Sequence, residues 1–129
     1  MAITDQIAVS KTIDPAQHAV LDYGVAATFL LLGIRYLHRN PAASALAFIN
    51  GGMVLGMSMC TDYPGGFWRR ISFKTHGTLD LWQAALAGFG PVLFGFADTP
   101  EARTFYCQAL SEVGVVSMTD WNGQVSGRS

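Results

Sequence analysis

Long apolar runs, separated by short polar segments, occupy most of the chain. The clearest is residues 41–60, a run of 20 residues without a charged side chain, which is the length that an α-helix needs to cross the hydrocarbon of a bilayer. Residues 81–97 form another uncharged run, in which Gly90-Pro91 predicts a kink that a helical bundle tolerates. Both runs lack the polar stripe at helical period that a soluble helix shows, so they predict membrane-spanning helices.

Three short motifs mark where helices begin. Asp14 and Asn40 each stand directly before a proline, which is the usual order of an N-cap and a first helical residue, and Gln17 is placed to complete a capping box with Asp14. Thr99-Pro100-Glu101 is a third start signal. The predicted helices are about 15–37, 41–60, one over the 81–97 run, and about 101–119.

The composition favours a membrane protein. Half of the residues are hydrophobic and 13% are charged, against about a quarter charged in a typical soluble domain. A chain of 129 residues suits a single domain, and its net charge of −1 includes no basic block, so nucleic-acid binding is not expected. We therefore predict an all-α fold, a four-helix transmembrane bundle, in preference to a soluble bundle.

The chain aligns with itself at an offset of 58 residues. This offset places His18 on His76, Asp22 on Asp80, and residues 61–65 on 119–123. Agreement at both ends of a two-helix unit indicates a tandem duplication. The predicted repeats are about 15–63 and 76–123, joined by an interfacial connection at 61–75, within one membrane domain of residues 1–129.

Two helices per repeat give both repeats the same orientation, so the termini and the 61–75 connection are expected on one side of the membrane. That side carries more cations: Lys11, Arg69, Arg70, Lys74 and Arg128, against Arg35, Arg39 and Arg103. By the positive-inside rule, both termini are predicted to be cytoplasmic, in an inner or plasma membrane. Residues 1–15 show no cleavable signal sequence.

The connection contains Phe67, Trp68, Arg69 and Arg70, a mixture of aromatic and cationic side chains. Such a mixture is typical of segments at the level of the lipid headgroups. The alternative is a docking surface for another protein, because exposed aromatics insert into proteins as well as into lipid. Membrane lipid, other membrane subunits or a second copy of the chain are thus the predicted partners.

Two histidine–aspartate pairs are the sharpest candidates for chemistry. His18 and Asp22 are four residues apart, as are His76 and Asp80, so each pair lies on one face of its helix. All four could coordinate a divalent metal, and the two histidines could ligate a haem or another tetrapyrrole. The alternative is structural: each side chain caps or hydrogen-bonds a neighbouring helix end.

Three polar residues fall within the predicted spans. Asn50 and Gln108 align at the 58-residue offset and could hydrogen-bond across the repeat interface, and Glu112 is an acid deep in the fourth helix. A carboxylate in lipid is costly, so Glu112 is expected to face a partner or water. The three residues predict either a small polar network or a proton or solute path.

Residues 81–112, with the centre Ala87-Gly88-Phe89-Gly90-Pro91-Val92-Leu93-Phe94-Gly95-Phe96, resemble the SPW repeat, a two-helix membrane unit that often occurs as a tandem pair. Asp80 matches the family's acidic residue near the start of the first helix, whereas Gly90-Pro91-Val92 stands in place of Ser-Pro-Trp. The resemblance implies a tandem membrane architecture over most of residues 19–121. It implies no activity.

No catalytic constellation of known spacing occurs in the sequence, and Cys60 and Cys107 form no CxxC motif. The sequence therefore favours a non-enzymatic accessory subunit of a larger membrane complex, or a homo-oligomer. One alternative is a small carrier or channel with a polar path at the repeat interface. Another is a redox subunit that holds haem or metal through His18 and His76.

Overall fold

The computed structural model describes residues 10–123, and this part of the chain is all-helical, without strands. Its four helices are α1 (Pro15–Tyr36), α2 (Pro41–Cys60), α3 (Phe73–Leu93) and α4 (Ala102–Met118). The all-α prediction is confirmed. The predicted bounds of the first, second and fourth helices agree with the structure to within one residue at each end.

Two of the predicted helix starts are built as the sequence indicates. At α1 the backbone N–H of Gln17 donates to Asp14 Oδ1 (2.8 Å), and the N–H of Asp14 donates to Gln17 Oε1 (3.0 Å), which completes the capping box. At α2 the Asn40 side chain accepts a hydrogen bond from the N–H of Ala43. Each cap satisfies a backbone N–H that the first turn of a helix leaves without a partner.

The third helix differs from the 81–97 run. It begins eight residues earlier, at Phe73, where Ser72 accepts a hydrogen bond from the N–H of Thr75. It ends at Leu93, so Pro91 lies in its last turn. Gly95 then adopts a positive φ of 76°, and the N–H of Phe96 donates to the Pro91 carbonyl (2.8 Å). This Schellman-type cap terminates the helix at the point where a kink was predicted.

The helices pack in sequential pairs, most extensively α1 with α2 and α3 with α4, while α2 also contacts α3. Two isolated parallel bridges, Ile13 with Thr119 and Thr61 with Ile71, tie the bundle together at one end. They place the starts of α1 and α3 beside the ends of α2 and α4. The candidate site lies at this end, beside a small buried cluster of Ala19, Tyr63 and Phe73.

The larger apolar core occupies the opposite half of the bundle. It consists of Phe29, Tyr36, Ala43, Leu46, Ala47, Phe96, Ala102 and Phe105. Close helix contact in this structure is made at Gly51, where an added Cβ would lie 3.0 Å from the backbone nitrogen of Leu30. A Cβ added at Gly52 or Gly56 would meet nothing within 4 Å, so these two glycines make no close helix contact within the described bundle.

Of the helices described, α1 and α2 are long and apolar enough to cross a membrane, judged by length and composition. The 17 residues of α4 fall short of the roughly 20 that a span needs. Large hydrophobic side chains nevertheless lie exposed on the outer surface of the helices, among them Trp82, Phe89 and Leu110.

Candidate metal site at the bundle end

The four residues predicted as two pairs converge on one point. His18 and Asp22 come from the first two turns of α1, and His76 and Asp80 from the first two turns of α3. One ligand atom from each lies within 4.8 Å of the others, which is close enough to hold a metal ion. Both histidines and Asp80 are buried, and the Asp22 side chain is 12% exposed, so the cluster is largely shielded from solvent.

The imidazoles and carboxylates alternate around the cluster. The Nε2 atom of His18 lies 3.1 Å from Asp80 Oδ2 and 3.4 Å from Asp22 Oδ1. The Nε2 atom of His76 lies 3.1 Å from both Asp22 Oδ2 and Asp80 Oδ1. Each carboxylate therefore bridges both rings, and α1 and α3 each supply one nitrogen and one carboxylate.

Threonine hydroxyls fix the orientation of both imidazoles. Thr119 Oγ1 lies 2.9 Å from His18 Nδ1, and Thr61 Oγ1 lies 2.6 Å from His76 Nδ1. Each hydroxyl donates its single proton to a helix carbonyl, at 2.6 Å in both cases. The ring nitrogen must then be the donor, so both histidines carry a proton on Nδ1 and turn Nε2 towards the carboxylates.

The two Nε2 atoms differ in how well they are satisfied. His18 Nε2 is within hydrogen-bonding geometry of Asp80, whereas the buried His76 Nε2 lies 3.1 Å from an oxygen of each aspartate without the angle of a hydrogen bond to either. A buried polar atom without a partner is rare in folded proteins. His76 Nε2 thus lies between the two carboxylates, where either a proton or a metal ion would link it to both.

Tyr63 supports one of the carboxylates. Its hydroxyl donates to Asp22 Oδ2 over 2.8 Å. Burial, and then the negative charge of Asp22, raise the pKa of Tyr63, so the phenol stays protonated and remains a donor. The 58-residue offset pairs Tyr63 with Trp121, whose indole N–H donates to the Val116 carbonyl instead.

Contacts around the cluster recur at the 58-residue spacing. His18 aligns with His76, and Thr61 aligns with Thr119. Replacing each residue by its aligned counterpart therefore converts the contact of His18 with Thr119 into the contact of His76 with Thr61. The same shift relates the two isolated bridges, which join Thr119 and Thr61 to the residues before α1 and α3. Each histidine therefore contacts the threonine that belongs to the other half of the alignment.

The cluster fits a metal ion better than a tetrapyrrole. A tetrahedral ion with bonds of about 2.0–2.1 Å separates ligand atoms by about 3.3 Å; the N···O contacts of 3.1–3.4 Å match this, while one ligand atom from each residue falls within 4.8 Å of the others, so binding would draw the four together. The two imidazole rings stand edge to face with centroids 5.4 Å apart, and both carboxylates contact both rings. A porphyrin between the two histidines has no room there.

The remaining polar residues of the predicted spans pair differently from the expectation. Gln83, which the sequence analysis did not single out, hydrogen-bonds to Asn50, and Gln108 donates to Glu112 Oε2 (3.0 Å). Asn50 thus bonds from α2 to α3, to Gln83 in place of Gln108, whereas Gln108 bonds within α4. A cavity of about 140 Å³ touches Gln108 and Glu112 as well as Asp22 and Asp80.

The aromatic and basic connection folds over the end of α2. The N–H groups of Phe67 and Trp68 donate to the Met59 carbonyl, and that of Arg70 donates to the Cys60 carbonyl. The side chains of Phe67 and Trp68 are 72% and 59% exposed. Arg69 Nη1 lies 3.8 Å from Asp62 Oδ1. Backbone hydrogen bonds thus hold this segment against the end of α2, and its aromatic rings face outwards.

Comparison of the chain with protein-family models, curated proteins and solved structures finds no match. The resemblance to the SPW repeat therefore stays a prediction.

Proposed function

We propose that this protein is a small, non-enzymatic integral membrane protein that holds one divalent transition-metal ion between His18, Asp22, His76 and Asp80. The main support for the proposal is the orientation of the two imidazole rings. Both Nδ1 atoms are engaged by threonine hydroxyls, so both Nε2 atoms point at two buried carboxylates. A metal-binding histidine is usually held in this way, through a hydrogen bond from its other ring nitrogen.

Charge balance supports the same proposal. Two neutral imidazoles and two ionised carboxylates carry a net charge of −2, and a buried charge without compensation is costly. One divalent cation would neutralise the cluster and bind His76 Nε2, which makes no hydrogen bond of good geometry. Two protons, one on each imidazole, would also neutralise it, and the cluster would then be a structural link between α1 and α3.

The donor set narrows the class of metal. Imidazole nitrogen with carboxylate oxygen suits zinc, iron and manganese, whereas copper(I) and iron–sulfur clusters prefer thiolate ligands. Both cysteines, Cys60 and Cys107, are free, and neither belongs to the cluster. Four protein ligands would complete a closed tetrahedral site of the kind that zinc forms in structural roles.

The test is the metal content of the protein purified in mild detergent, stripped with a chelator and reloaded with zinc, manganese, iron(II) or cobalt(II). We expect one equivalent per chain. His18→Gln and His76→Gln should abolish loading, whereas His38→Gln, at the exposed third histidine, should not. Wild type that loads no more metal than the double variant His18→Gln/His76→Gln would establish the proton-held, structural alternative.

Membrane insertion is the second part of the proposal. It is supported by the apolar length of α1 and α2 and by the exposed hydrophobic side chains of the other two helices. The tandem duplication, supported by the paired contacts at a spacing of 58, would place both termini on one side. The protein should remain in the membrane pellet after an alkaline carbonate wash, and recovery as a detergent-free soluble monomer would refute it.

We also propose that the bundle packs against another membrane subunit or a second copy. Trp82, Phe89 and Leu93 are each about 70% exposed, and their spacing of seven and four residues places them on one face of α3. Native mass spectrometry from lipid nanodiscs should show an assembly larger than one chain. A lone monomer without a co-purifying partner would leave this face to lipid and overturn the proposal.

A further inference from the structure

A cavity joins the His/Asp cluster to an acid on α4. Its volume is about 140 Å³, and Asp22 and Asp80 line it together with Gln108, Ser111 and Glu112. A single water needs about 10–15 Å³ of such space, so the cavity holds several waters or a partly hydrated ion. The remaining wall is apolar, formed by leucine and valine side chains.

The Glu112 side chain lines this cavity and can contact a water or an ion within it. It is partly buried within α4, and Gln108 donates a hydrogen bond to its Oε2 atom over 3.0 Å. A carboxylate within a membrane helix is stable only where it faces a partner or water, and the cavity provides that environment. The neighbouring side chain Ser111 is exposed and also lines the cavity.

Glu112 has no acidic counterpart in the other half of the alignment. At the 58-residue offset, Gln108 corresponds to Asn50 and Glu112 to Val54. Asn50 is fully buried and hydrogen-bonds to Gln83, whereas Val54 lines the same cavity as Glu112. The 58-residue offset thus pairs an acid with a valine at one cavity, so the offset alone does not account for Glu112.

We propose that this cavity is the route by which a divalent cation reaches the cluster, with Glu112 as its ligand in transit; this rests on the proposed function. A cation entering past Ser111 meets the Glu112 carboxylate first and then the oxygens of Asp22 and Asp80. The route ends at the buried Nε2 atom of His76, between the two carboxylates. Gln108 positions Glu112 through its hydrogen bond and supplies no charge of its own.

The test is the rate of cobalt(II) binding to the metal-free protein in nanodiscs, followed by the visible absorption of the loaded ion after rapid mixing. Glu112→Gln should slow binding and release by at least about tenfold each, so that the equilibrium affinity changes by less than about twofold. Asp98→Asn, an exposed acid at the far end of the bundle, is the matched control and should bind at the wild-type rate. Ser111→Trp, which fills the cavity without removing a charge, should slow binding as well.

The outcomes separate the two proposals. Wild type that never binds cobalt, zinc, manganese or iron(II) would overturn the metal-holding function itself. Wild-type rates in both Glu112→Gln and Ser111→Trp, with His18→Gln unable to bind, would leave the metal site standing and refute the access route. A loss of equilibrium affinity of tenfold or more in Glu112→Gln, at an unchanged rate, would make Glu112 a resident ligand and refute its role in transit.

Discussion

His18 and Thr119 are 101 residues apart in the chain, yet His18 Nδ1 and Thr119 Oγ1 lie 2.9 Å apart in the bundle. Because the threonine proton is donated to the Val115 carbonyl, the histidine has to donate its Nδ1 proton to the threonine. A residue at the end of α4 therefore sets which nitrogen of His18 faces the carboxylates.

Thr119→Val should weaken metal binding by about 10–100-fold, because it removes the group that orients the ligand without changing a ligand. The shape of the side chain is nearly retained, so loss of the hydroxyl is the main change. Thr119→Ser keeps the hydroxyl and serves as the control. Affinity is measured by competition with a chromogenic chelator, and equal affinities of the valine and serine variants would contradict the role assigned to Thr119.

Tyr63→Phe should lower the free energy of unfolding by about 1.5–3 kcal/mol, since it removes a hydrogen bond to a buried, ionised carboxylate. Tyr23→Phe is the control, because the Tyr23 hydroxyl donates to the Gly65 carbonyl in an exposed setting, where a loss of about 1 kcal/mol or less is expected. Chemical unfolding in detergent gives both values. Equal losses of unfolding free energy in the two variants would show that the hydrogen bond from Tyr63 to Asp22 adds no more stability than an exposed one.

Local patterns were sufficient for much of the fold. The capping motif at Asp14 and the proline after Asn40 located the starts of α1 and α2, because each cap uses residues within one turn. The start of α3 at Phe73 was missed, since Lys74, Thr75 and Asp80 interrupt any apolar run in its first turns. Ser72, an ordinary N-cap residue that accepts from Thr75, was the available signal.

The candidate site was predictable only in part. The spacing of His18 to Asp22 and of His76 to Asp80 placed each pair on one helix face, and the 58-residue offset brought the pairs to the same end. The offset also aligned Thr61 with Thr119, but the alignment carries no information about which atoms touch. That each threonine contacts the histidine of the other half depends on helix packing, which a local pattern does not encode.

The stability of the fold should depend on pH through Glu101, which lies at the opposite end of the bundle from the His/Asp cluster. Its own backbone N–H, and then the Asn40 amide, hold the pKa of the Glu101 carboxyl below its ordinary value of 4.5. A lowered folded-state pKa means that the carboxylate stabilises the fold above about pH 4.5, and that this stability is lost as the pH falls through the folded-state pKa. Arg39 Nε, 2.9 Å from Glu101 Oε1, loses its partner in the same range.

Glu101→Gln should therefore melt at a lower temperature than wild type at neutral pH, and the difference should shrink as the pH is lowered to about 3. Melting temperatures of both proteins across this range provide the measurement. Asp98→Asn, at an exposed acid three residues away, is the control and should run parallel to wild type. A difference between Glu101→Gln and wild type that is constant with pH would refute the assignment.

Two adjacent glycines of α2 allow a direct test of how closely α1 and α2 pack. A Cβ added at Gly51 would lie 3.0 Å from Leu30 N and 3.1 Å from Ala26 O, which are backbone atoms of α1 that no side-chain rotation can move. At Gly52 an added Cβ meets nothing within 4 Å. Gly51→Ala should thus destabilise the bundle by about 1–3 kcal/mol through overpacking. Gly52→Ala should be neutral or stabilise it by up to about 1 kcal/mol, because alanine is the better helix former. Unfolding of both variants in the same detergent measures the difference, and shifts of the same sign and size would show that α1 and α2 are farther apart than described.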